Sequence, residues 1–67
     1  MMQPHQQRIV EERNELATKL GNLQEFTQTN QKFTTLPHID KELLKAQEAL
    51  MMAYLKVLNR RIARFTD

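Results

Sequence analysis

The 67-residue sequence carries ten basic and eight acidic side chains, for a net charge of +2, and has no cysteine. A chain this short buries only about 60% of its unfolded surface, and scaffolds of this size usually need a disulfide, a metal or an oligomer. Disulfides and thiolate metal sites are excluded, and His5 and His38 lie too far apart in sequence to read as a ligand pair. Oligomerisation is the remaining route.

The first residues, MMQPHQQR, contain no apolar run, so no signal peptide is expected. No segment approaches about 18 consecutive apolar residues, so no membrane partner is expected either. Pro4 suits a first helical turn. Beyond it Ile9, Leu16 and Leu23 recur every seven residues, and Val10, Ala17, Leu20 and Phe26 widen the stripe. This predicts a helix over about 4–28, with Gly21 a weak point costing about 1 kcal/mol. Fraying is expected around the TQTN run at 27–30, whose side chains compete for backbone groups.

Residues 29–37 read as the connection, with Phe33 and Leu36 plugging the end of a hairpin. Pro37 is tolerated only at a helix start, and Asp40 is an alternative N-cap. A second helix is expected over about 38–65. The connection is short and the helices nearly match in length, so the fold class is all-α: a single domain, 1–67, forming an antiparallel two-helix hairpin.

The second helix is apolar all round. Leu50 to Leu55 are six uncharged residues in succession. One row is Leu43, Leu50 and Val57; another is Leu44, Met51, Leu58, Ile62 and Phe65. A single partner helix covers only one row, and the other would leave several hundred Å² of apolar surface in water, large for a monomer. A helical-bundle homo-oligomer follows, as a dimer or a dimer of dimers, with a tetramer favoured.

Polar residues keep helical register beside these rows. Gln47, Tyr54 and Arg61 are spaced by seven on the second helix; on the first, Arg8, Glu15 and Asn22 share one line, and Glu12, Lys19 and Phe26 share the next. In an antiparallel hairpin Arg8 falls near Arg61, and Lys19 near Gln47 or Met51. An aromatic ring, two guanidinium groups, a lysine and an amide can stack a base, grip phosphate oxygens and read a base edge. The same residues have a plainer reading. Arg8–Glu12 and Glu15–Lys19 are i,i+4 partners worth about 0.2–0.5 kcal/mol each. Arg61 complements a helix C-terminus, and Tyr54 packs in a core.

Catalysis has no support. The sequence lacks cysteine, serine and a Gly-rich phosphate loop. Glu11 and Glu12 are adjacent, so they point about 100° apart on a helix. No catalytic residue, metal site or cofactor is expected. The basic run Lys56, Arg60, Arg61 and Arg64 offers a weak nucleic-acid surface, but it spreads over several faces, and no DNA or RNA partner is expected.

The runs RIVEERNEL (8–16), TKLGNLQEF (18–26) and KFTTLP (32–37), followed by Gln47, Met51, Tyr54, Val57, Leu58, Arg61, Ile62 and Phe65, resemble a family of small phage helical-hairpin proteins. Within it the chain is similar to the small, all-helical anti-CBASS nucleotide sponges. CBASS is a bacterial defence in which infection triggers synthesis of cyclic oligonucleotides that activate a lethal effector. Sponges bind these messengers without cleaving them, and assemble as oligomers with pockets between protomers. GNLQ at 21–24 replaces a more basic run often seen there in such proteins. The resemblance implies a cyclic dinucleotide ligand such as 3′3′-cyclic GMP-AMP, immune evasion in the host cytoplasm, and five binding residues: Tyr54 stacking a base, Arg61 and Arg8 holding phosphates, Lys19 and Gln47 adding charge or edge contacts. The alternative is an oligomeric protein-interaction module of a phage, with no small-molecule ligand.

Overall fold

A computed structural model describes residues 2–65. Two long helices, α1 (Pro4–Thr29) and α3 (His38–Ala63), flank a single helical turn, α2 (Gln31–Thr34). The described residues are all-helical, with no strand. The two long helices pack against each other, and the molecule is a rod measuring 49 × 15 × 14 Å.

Local chemistry sets the helix ends. Pro4 occupies the start of α1, where a missing N–H costs nothing. The Gln3 backbone N–H donates to Gln6 Oε1 at 2.9 Å. The TQTN run does not fray as expected. α1 continues to Thr29, and the Thr29 hydroxyl donates to the Glu25 carbonyl at 2.7 Å without leaving the helix, as back-bonding to the preceding turn permits. Asn30 ends α1 and opens α2, its side-chain oxygen accepting the Lys32 N–H at 2.8 Å. The connection therefore contains a helical turn. Pro37 caps α3, its carbonyl accepting the Asp40 and Lys41 N–H groups. Asp40 is thus not the cap but an acid in the first turn, opposite Arg60 and Arg61 in the last. Both ends complement the helix dipole.

Cross-helix hydrogen bonds show that the pair is antiparallel. Arg13 Nη1 donates to Asn59 Oδ1 at 3.0 Å, and the Thr27 hydroxyl to Glu48 at 3.4 Å. On α1 the partly or fully buried positions include Gln6, Ile9, Arg13, Leu16, Leu20, Leu23 and Thr27. On α3 they are Lys41, Leu44, Glu48, Met51, Leu55, Leu58 and Ile62. Both sets alternate steps of three and four, the seam of a left-handed helix pair. Ala17 was expected in the stripe but is exposed. It is one residue past Leu16 and so turned about 100° away from the seam.

The core is thin: Leu20, Phe33 and Leu58 are buried, with Leu58 fully so. Phe33, carried on α2, stoppers the hairpin end. It meets Phe26 edge-to-face with ring centroids 6.1 Å apart, and the Lys41 and Lys45 ammonium groups lie 6.0 Å from its centroid. The aromatic pair and the two cations each add modest stabilisation to the ring's burial.

Of the two apolar rows on α3, the one carrying Leu58 faces α1. The other stays in water, with Leu43 60%, Leu50 71% and Val57 53% exposed. Ile39, Ala46 and Ala53 continue it. Among the described residues no helix is long and apolar enough to cross a membrane.

Candidate functional site

Tyr54 sits at the border between the exposed row of α3 and the α1 flank. The residue is 45% exposed, and its hydroxyl donates to the Glu12 carboxylate on α1. That bond holds the phenol above its usual pKa, with partial desolvation and the Glu12 charge acting in the same direction. The Arg61 cation, two turns further along α3, pulls the other way.

Two turns earlier, Gln47 lies on the same line. Tyr54 and Gln47 line a shallow groove with Leu43, Ala46, Leu50 and Met51. Its volume of about 480 Å³ falls within the range that holds small organic ligands. The walls are mainly apolar. Gln47 Nε2 makes only a weak contact of 3.8 Å to Met51 Sδ, so its amide remains available as donor and acceptor.

The other candidates stand around this groove rather than in it. Arg61 continues the Gln47–Tyr54 line by two turns and is exposed. The register set by the three cross-helix bonds puts Arg8 at the Arg61 end of the hairpin and Lys19 level with the Met51–Tyr54 turn. Lys19 lines a separate depression with Asn14, Glu15 and Thr18. A larger hollow, about 680 Å³, lies at the α1–α2 corner by Asn22, Phe26 and Lys32, and none of the five candidates lines it. In a single chain, then, Tyr54 and Gln47 share a groove, Arg61 borders it, and Arg8 and Lys19 lie on the neighbouring helix.

Two plainer expectations are corrected. Arg8–Glu12 and Glu15–Lys19 do not form ion pairs; among the described residues the close contact between a basic and an acidic side chain is His38 Nε2 to Glu42 Oε1 at 3.0 Å. Glu12 turns to Tyr54 instead, and Tyr54 is half-exposed rather than part of the core. Glu12 is the residue that sequence reasoning missed. The available signal was its place on the Glu12–Lys19 line, which meets the Tyr54 line once the helices are antiparallel. Among the described residues no cluster of His, Asp and Glu is arranged to hold a metal ion.

The geometry defines a class: a small antiparallel helical hairpin with one unpartnered apolar face bordered by an aromatic–amide–arginine line. Within that class the chain belongs to the Sequestin family, whose model matches residues 3–64. It is also 36% identical over 64 residues to the "uncharacterized 7.5 kDa protein in denB-rIIB intergenic region" of Enterobacteria phage T4, covering 96% of this chain and 98% of that protein. The resemblance to small phage hairpin proteins therefore holds. No solved structure matches the chain.

Proposed function

We propose that this protein sequesters a cyclic dinucleotide messenger, such as 3′3′-cyclic GMP-AMP, without cleaving it, and so blunts a CBASS-type defence during phage infection. The observation that carries the reading is the groove shared by Tyr54 and Gln47 beside Arg61. A ring that stacks and an amide that reads an edge stand together on an otherwise apolar wall, with a guanidinium that grips phosphate at its border. The family name, which denotes sequestration, and the phage relative support it.

In this reading the working form is a homo-oligomer, because the groove lies on the exposed row of α3 and is open as a single chain. Arg8 and Lys19 add positive charge from α1. The chain offers no serine or cysteine nucleophile, in keeping with stoichiometric capture rather than turnover, and the host cytoplasm is where such a messenger would be met. Calorimetric titration of the purified protein with 3′3′-cyclic GMP-AMP tests it. Saturable binding with unchanged nucleotide recovered afterwards is expected. No heat and no thermal shift with any cyclic di- or trinucleotide would overturn it.

A second reading rests on the same exposed row, which could instead dock an amphipathic helix of another protein. A closed oligomer that already buries Leu43 and Leu50 counts against it.

A further inference from the structure

The exposed row of α3 has an internal order that specifies what covers it. Ile39, Leu43, Ala46, Leu50, Ala53 and Val57 follow steps of four, three, four, three and four, the spacing of a second coiled-coil seam on the side away from α1. Large and small residues alternate along its centre. All six are exposed.

We propose that two copies of this chain pair through α3 in antiparallel fashion about a two-fold axis level with residue 48. Antiparallel seams pack one set of core positions of one helix against the other set of its partner. With the axis at residue 48, Leu50 meets the partner's Ala46, Leu43 meets the partner's Ala53, and Val57 meets the partner's Ile39. Each central leucine fills the recess left by an alanine, the close interdigitation that packed interfaces require. Sliding the axis half a heptad towards the C-terminus sets Leu43 against the partner's Arg60. Sliding it the other way leaves Val57 opposite a residue outside α3.

The flanking charges agree. Glu42 and Lys56 border the seam on one side, and the antiparallel pairing brings each Glu42 to the partner's Lys56 twice over. Glu42 also holds His38 within its own chain at 3.0 Å, in a contact exposed enough to share. On the other side Asp40 comes towards the partner's Arg61. A parallel in-register pair would instead stack leucine on leucine and alanine on alanine, leaving voids, and would set Lys56 beside the partner's Arg61.

The pairing completes the groove. Helical side chains lean towards their own N-terminus, so Tyr54 and the partner's Gln47 lean towards each other across the seam. The inference rests on the homo-oligomer of the proposed function but not on its ligand.

Cross-linking tests the geometry. The sequence has no cysteine, so Glu42→Cys, Ala49→Cys and Lys56→Cys each introduce one thiol at an exposed position. About the proposed axis two copies of residue 49 are offset by about 3 Å along the helix, as are residue 42 and the partner's residue 56. Two copies of residue 42 are about 18 Å apart and two of residue 56 about 24 Å. A short bis-maleimide should therefore dimerise Ala49→Cys by itself. It should join a mixture of Glu42→Cys and Lys56→Cys at least tenfold more than either alone. Self-linking of Glu42→Cys as efficient as that of Ala49→Cys would overturn the antiparallel axis, leaving the oligomer and its ligand standing. A monomeric mass by light scattering for the unmodified protein would sink the pairing and the oligomer together. Absence of nucleotide binding with the expected cross-links intact would remove only the ligand.

Discussion

The hydroxyl of Tyr54 on α3 donates to the carboxylate of Glu12 on α1, tying the two helices together beside the candidate groove. Tyr54 is the sole tyrosine and the sequence has no tryptophan, so its ionisation can be followed by ultraviolet absorbance without interference. The bond to Glu12 favours the protonated phenol and raises its pKa above 10.0. A group whose folded pKa is raised contributes stability that is complete below its unfolded pKa and is lost as pH rises through the folded value. The thermal midpoint should therefore be insensitive to this pair around neutrality and decline in the alkaline range above 10.0. Glu12→Gln should lower the absorbance midpoint of Tyr54. An unchanged midpoint would mean that the bond does not form in solution.

Ligand capture should separate the ring from the hydroxyl. Tyr54→Phe keeps the stacking face and frees Glu12, so it should retain most affinity for a cyclic dinucleotide. Tyr54→Ala removes the face and should cost about 1–3 kcal/mol for each stacked base. Equal losses in the two variants, measured by calorimetry, would assign the hydroxyl rather than the ring to the ligand.

Arg61→Ala should weaken the same binding and flatten its salt dependence, because an exposed guanidinium acts on phosphate through a screened field. The measurement is affinity at two ionic strengths, with circular dichroism confirming an unchanged helical fold.

Leu58 and Leu50 test which row of α3 is structural within one chain. Leu58 is fully buried, so Leu58→Ala should destabilise by about 2–5 kcal/mol, enough to unfold a domain this small. Leu50 is 71% exposed. For an isolated hairpin Leu50→Ala should fall within about 0.5 kcal/mol of the parent. In the proposed assembly it should instead lower the melting temperature, more so at low protein concentration, as mass action requires when association stabilises the fold. Chemical denaturation across a concentration series distinguishes the two.

Gly21 offers a change in the opposite direction. It lies within α1, and a Cβ placed there meets no atom within 4 Å. Gly21→Ala should stabilise by up to about 1 kcal/mol, raising the melting temperature by roughly 4–8 °C for a domain of this size. A decrease would show that α1 bends or packs at this point in the assembly.

Periodicity by itself determined most of the hairpin. Apolar side chains recurring at helical spacing, few helix breakers, and a proline at each helix start leave little choice but two helices and a short connection. Periodicity also showed that α3 carries more apolar surface than α1 can cover, since that is a count of faces. It could not say which row would meet α1. That depends on how both helices rotate to bury Leu58 and Leu20 at once and to bring Phe33 over the end. Nor could spacing along one helix show that Glu12 leaves its i,i+4 partner Arg8 for Tyr54. Local pairs can be read from the chain, whereas that hydrogen bond exists only when two antiparallel helices bring residues 42 positions apart into contact. The sequence determined which residues share a line; the tertiary structure decided which lines face each other, because rotation about the helix axes is set by packing between helices and not by either helix alone.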